Sequence, residues 1–164
     1  MASDGIAKYL NGLPADAARA ALAKCCGARR WVERMLAARP FGSDAGLLEA
    51  AERVWWALGR EDWLEAFAAH PRIGEPTGKA RERREQAGVD GATAATRAAL
   101  ALGNRMYEER FGHVFLICAT GKSADEMLGA LRDRLGNDPI TELRIAAGEQ
   151  AKITRLRLEK AAAS

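Results

Sequence analysis

The 164-residue sequence predicts an all-α fold, a single-domain bundle of about eight or nine helices spanning residues 1–164. Three observations predict it. Alanine dominates the apolar residues while aromatics make up only 6%, a mix that favours helix over sheet. Apolar residues recur at helical spacing through most of the chain. Proline and glycine punctuate the boundaries of those periodic segments. A length of 164 residues favours one domain and suffices for a real core.

Taken in order, Leu13-Pro14-Ala15-Asp16 opens a helix that Gly27 closes. Trp31, Met35 and Leu36 mark the next helix, which Pro40 stops. Leu47, Leu48, Ala51, Val54, Trp55 and Leu58 form a helical stripe ending at Gly59. Trp63, Leu64 and Phe67 continue in a short helix up to His70-Pro71, because a residue before proline disfavours the α region. Residues 71–80 carry Gly74, Pro76 and Gly78 and read as a loop. A helical pattern resumes over 92–110 with Leu100, Met106 and Tyr107. Phe111 to Ala119 is nearly all apolar and fits either a buried helical turn or a strand. Ser123-Ala-Asp-Glu126 is a capping box opening a helix through Leu135. Asp138-Pro139 starts a last long helix to about Lys160.

The bulk numbers exclude little and locate much. Hydrophobic residues are 48% and charged residues 29%, an ordinary globular balance, and the net charge is only +3. That charge suits an anionic small molecule as well as nucleic acid. The odd count of cysteines, Cys25, Cys26 and Cys118, argues against a disulfide framework and for a reducing cytoplasm. No cysteine pair has zinc-ligand spacing, and two histidines are too few for a histidine-rich metal site. No apolar run approaches the roughly 20 residues of a membrane span. The N-terminal Met1-Ala-Ser-Asp-Gly5 lacks a basic-then-apolar signal, and the terminal Ala-Ala-Ala-Ser164 is not a peroxisomal tripeptide.

Chemistry concentrates in His70-Pro-Arg-Ile-Gly-Glu75 and Glu85-Gln-Ala-Gly88. His70 reads either as a helix-terminal residue satisfying carbonyls or as an acid/base group on a rigid proline mount. Glu82 and Glu85 read either as a solvated, salt-bridged face or as a carboxylate facing a ligand, and composition does not separate them. Arg72, Lys79, Arg81, Arg83 and Arg84 make the region basic, a funnel for an anion or a weak nucleic-acid patch. No aromatic residue interleaves these charges, so base stacking is poorly supported. In the last helix, wound at about 100° per residue from Ile145, Ala146, Ile153 and Leu156 share a stripe. Arg157 falls at its edge near 120° and Arg155 on the far side near 280°. Arg157 is then partly buried and needs an anionic partner, a ligand or another side chain. Cys118 and His113 flank the apolar run without a third ligand and read as core.

These residues carry a family resemblance. His70-Pro-Arg-Ile-Gly-Glu75, Glu85-Gln-Ala-Gly88, Asn104-Arg-Met-Tyr107, Phe111-Gly112 and Phe115-Leu-Ile-Cys-Ala119 occur in order. Asn137-Asp-Pro-Ile-Thr-Glu-Leu-Arg144 and Glu149-Gln-Ala-Lys-Ile-Thr-Arg-Leu-Arg-Leu158 complete the series. The ordered set resembles the 2-oxo-4-hydroxy-4-carboxy-5-ureidoimidazoline (OHCU) decarboxylases of uric acid degradation, from about Asn11 to Lys160.

The resemblance implies an all-helical homodimer, a carboxy-lyase that turns an anionic ureidoimidazoline into (S)-allantoin without a metal or organic cofactor. It places the catalytic residues on His70, Glu85 and Arg157. It places substrate contacts on Pro71, Gln86 and the backbone of Ile117 and Ala119. A further contact, a serine in the family, falls on Glu82. That departure sets a carboxylate where a hydroxyl would meet the substrate. Neither nucleic acid nor membrane is an implied partner. Two other readings compete: a helical module binding nucleic acid through Arg72 to Arg84, and a family member weakened by Glu82.

Overall fold

The computed structural model describes residues 5–73, 85 and 92–162. Among them are eight helices and no strand: α1 (Gly5–Gly12), α2 (Ala15–Cys25), α3 (Arg29–Ala37), α4 (Asp44–Trp56), α5 (Arg60–Ala68), α6 (Ala94–Phe111), α7 (Ala124–Arg134) and α8 (Pro139–Ala161). They group into two compact units, Met1–Ala66 with Gln150–Ser164, and Phe67–Glu149. No helix among the described residues is long and apolar enough to cross a membrane.

In the first unit α3 packs on α2 and α4. Leu22, Trp31, Met35 and Leu47 are fully buried there, and the last three are among the apolar residues that the periodicity nominated. The Trp31 indole N–H donates to the Ala51 carbonyl at 3.2 Å, so the largest core side chain leaves no buried donor unpaired. Ser43 caps α4 by accepting from the Gly46 N–H at 3.0 Å. The Asn11 amide pairs both ways with the backbone of Phe41, at 2.9 and 2.8 Å, and ties α1 to the turn before α4. Pro14 stands at the N-cap of α2, one place before the first helical residue. The helix stops at Cys25, with Cys26 extended, so the break precedes Gly27 and needs no glycine.

The second unit is built on α6 against α7. Leu100, Tyr107, Phe111, Phe115, Met127 and Leu131 lead its core. Gly103 lets the two helices meet. A Cβ there would lie 2.3 Å from Leu131 Cδ2 and 3.2 Å from its Cγ, and Leu131 is itself fully buried. Gly103→Ala is therefore expected to cost about 1–3 kcal/mol by overpacking. Urea denaturation would check this, and an unchanged midpoint would remove the close-approach argument.

Two expectations change here. Phe111 to Ala119 is neither a helical turn nor a strand. Gly112, at φ 78°, ends α6 with its N–H on the Glu108 carbonyl at 2.9 Å. The chain then runs without turn or bend from Val114 to Ala119. Met106, expected inside, is 48% exposed, while Gly103, Asn104 and Tyr107 form the buried face.

A charged knot organises this unit. The Glu142 carboxylate is fully buried and accepts from both Arg134 Nε and Nη2, at 2.8 and 2.5 Å, and from the Tyr107 hydroxyl. Asn137 Nδ2 donates to its other oxygen at 3.1 Å. Burial, and then the hydrogen bond to Glu142, push the Tyr107 phenol well above its ordinary pKa, so it stays a donor. The Arg134 guanidinium lies over the Phe115 ring, 4.6 Å from its centroid. The capping box of α7 forms as expected, Ser123 accepting from Glu126 N–H at 3.1 Å and Glu126 from Ser123 N–H at 2.9 Å. Asp138 closes the start of α8 on Thr141 N–H at 3.0 Å.

Candidate active site

His70 stands just past the end of α5, its N–H on the Phe67 carbonyl at 3.1 Å, as the histidine-proline pair requires. His70 and Pro71 are both half-buried. The two residues that follow are tied to α6 at points one helical turn apart. Arg72 donates twice to Glu108, at 2.7 and 3.0 Å. The Ile73 carbonyl accepts from Asn104 Nδ2 at 3.0 Å, and Asn104 is only 2% exposed. So Arg72, the first of the basic residues in the nucleic-acid reading, holds a carboxylate of its own chain. The anchors Asn104 and Glu108 were missed as site supports, although both sit on one face of α6 at the i,i+4 spacing.

Glu85 is helical and half-buried. Glu82 and Gln86 lie outside the described residues.

Ile117 and Ala119 are buried at 5% and 6% exposure. Their segment is gripped from two helices. Arg134 Nη1 donates to the Leu116 carbonyl at 2.8 Å, and the Cys118 N–H donates to Glu149 Oε1 at 2.9 Å. The Ala119 carbonyl accepts from Lys122 N–H at 3.0 Å. Cys118 is half-buried rather than fully in the core. His113 packs its ring on Phe67 and Tyr107, at centroid distances of 5.3 and 5.5 Å. Among the described residues, no group of three His, Cys, Asp or Glu side chains could hold a metal ion.

Arg157, on α8, belongs to the first unit. It is half-buried, whereas Arg155 is 55% exposed and pairs with Glu159 at 3.6 Å. The buried residues of α8 are Glu142, Ala146, Ala147, Gln150, Ile153, Thr154 and Leu158. On the winding from Ile145 they centre near about 140°, which puts Arg157 close to the middle of the inward face rather than at its edge. Burial pushes the Cys26 thiol up to about 12, outweighing the smaller opposing pulls of hydrogen bonds to Ala28 and Thr154 and of the Arg157 charge. The guanidinium therefore has a neutral thiol, not a thiolate, among its surroundings.

A family model described as OHCU decarboxylase matches residues 11–159. The chain belongs to the OHCU decarboxylase family. It is similar to a solved OHCU decarboxylase, crystallised in the presence of (S)-allantoin, with a TM-score of 0.79 and 36% identity over 87% of this chain and 96% of that one. The uric acid degradation bifunctional protein TTL of Arabidopsis thaliana is 39% identical over 145 residues, 83% of this chain and 44% of that protein. The OHCU decarboxylase of Amia calva is 40% identical over 86 residues, 52% of this chain and 49% of that protein. The matched stretch thus amounts to about half the length of these two curated relatives.

Proposed function

We propose that this member of the OHCU decarboxylase family decarboxylates OHCU to (S)-allantoin in uric acid degradation. What supports the reading is the family match over residues 11–159, joined to a solved OHCU decarboxylase of which this chain covers 96%. The substrate carbon that bears the carboxylate also bears a hydroxyl and adjoins a C=N bond. When CO2 leaves, the C–C electron pair moves into that bond, the ring nitrogen takes up a proton, and an enol remains. The enol then loses its hydroxyl proton and gains one on the neighbouring ring carbon, yielding allantoin. The ring is its own electron sink, so the protein has to orient the anion, steady the moving charge and protonate one face.

In this proposal His70 exchanges the hydroxyl proton, and Glu85 holds ureido and ring N–H groups. Arg157 clamps a substrate oxygen, and Pro71 and Gln86 line the ring. The backbone of Ile117 and Ala119 supplies further hydrogen bonds. The resemblance implies a serine where this chain has Glu82, and Glu82→Ser is expected to raise kcat/KM if its carboxylate repels the anion. Cys25, Cys26 and Cys118 form no disulfide with one another, which suits the cytoplasm. The proposal includes a homodimer, as the family resemblance implies.

Freshly generated OHCU, followed by circular dichroism with and without the protein, tests the reading. A fast (S)-allantoin signal supports it, and slow formation of racemic, signal-free product sinks it. The arginines give a finer check. Arg157→Ala is expected to lower kcat/KM by about 10- to 100-fold, the scale of a lost hydrogen bond to a charged group. Arg155→Ala, which removes a surface ion pair, should change it less than about twofold. Equal effects would end the helical-face argument.

A further inference from the structure

We infer that Glu149 is a positioning residue, whose grip on Cys118 turns the peptide groups of Ile117 toward the substrate. This rests on the proposed role of the Ile117 backbone in binding.

In a planar trans peptide the C=O and N–H point opposite ways. The Leu116 carbonyl points at Arg134, so the N–H of Ile117, in the same peptide, points away from it. The Cys118 N–H points at Glu149, so the carbonyl of Ile117 points away from that carboxylate. The chain has no turn or bend from Val114 to Ala119. A run that neither coils nor bends approaches the alternation of a strand, in which backbone groups of residues two apart share a side and those of the residue between face the other. Arg134 and Glu149 thus take Leu116 and Cys118 on one side, and Ile117 offers an N–H and a C=O together on the opposite side.

A donor and an acceptor side by side on one extended residue match the edge of a ureide or cyclic amide, as one strand matches its neighbour. A free Cys118 N–H could rotate away. The half-buried Glu149 carboxylate, 31 residues distant in sequence, holds it at 2.9 Å from Oε1. Its contribution would be to binding, through Ile117, without touching the substrate. Arg134 shares the work, but it is also bound into the buried Glu142 knot, so the test is made at Glu149.

The test compares Glu149→Ala and Glu149→Gln in the full chain, reading KM and kcat from the allantoin signal. Glu149→Ala is expected to raise KM about tenfold with kcat within about twofold, the pattern of lost uniform binding. Glu149→Gln keeps an oxygen that can accept the Cys118 N–H and is expected to restore the wild-type KM. A wild-type KM in Glu149→Ala overturns the inference, as does a Gln variant as impaired as the Ala variant. If Glu149→Ala does not fold, Glu149→Leu, of similar size and without an acceptor, takes its place with the same expectation. His70→Ala separates the two layers. If it keeps full activity, the site reading falls and this inference with it. If it is inactive while Glu149→Ala keeps the wild-type KM, the inference alone falls.

Discussion

His70→Ala is expected to lower kcat by about 10²–10⁴-fold, the range of a positioned general acid or base. The product that still forms should be racemic, because the uncatalysed reaction proceeds slowly and has no chirality to impose. Stopped-flow absorbance gives the rate and circular dichroism gives the handedness, and the second is the more telling signal. The expectation has a structural basis beyond the imidazole. The residues after His70 are held on α6 by Asn104 and Glu108, so the histidine sits on an anchored stretch of backbone. A variant with wild-type rate and pure (S)-allantoin would take His70 out of the mechanism.

The second large effect is on stability. Arg134→Met is expected to cost about 3–5 kcal/mol, because it strands the Glu142 carboxylate in a fully buried position. For a chain of this size that lowers Tm by roughly 6–20 °C. Adding Glu142→Leu should recover much of the loss, since apolar residues of similar volume replace a buried pair at little net cost while a lone charge does not. A double-mutant cycle by thermal melting measures the coupling. If Arg134→Met is neutral, the carboxylate is not dependent on its guanidinium, and the knot is not what holds α7 to α8. The same substitution frees the Leu116 carbonyl, so a rise in KM should accompany the loss of stability.

How much of this could be read in advance varies by residue. The α7 capping box needs only Ser123 and Glu126, three residues apart, and forms as written. The α4 stripe needs only repetition every three or four residues, and its Leu47, Ala51 and Trp55 are buried. Arg134 was a basic residue in a last helical turn, with nothing local to distinguish it from Arg132, yet it is 8% exposed and paired with Glu142. Met106 looked like core because it is apolar, but the inward face of α6 passes through Gly103, Asn104 and Tyr107. The candidate site was legible through the order of its motifs. Only Arg157 had independent support, from the winding of α8.

The sequence by itself determined most of the helices and the capping box of α7, because those depend on neighbours within one turn and on where proline and glycine interrupt them. It also determined family membership, because the motifs are local strings in a set order. Tertiary structure decided which polar groups go inside and what they hold: Glu149 on Cys118 from 31 residues away, Glu108 on Arg72 from 36, Tyr107 on Glu142 from 35. Such pairings join a helix to a segment far away in sequence, and a buried charge or amide is tolerated only when that distant partner arrives. The periodicity of one helix carries no record of the partner, so the straight run from Val114 to Ala119 took its form from the side chains that grip it.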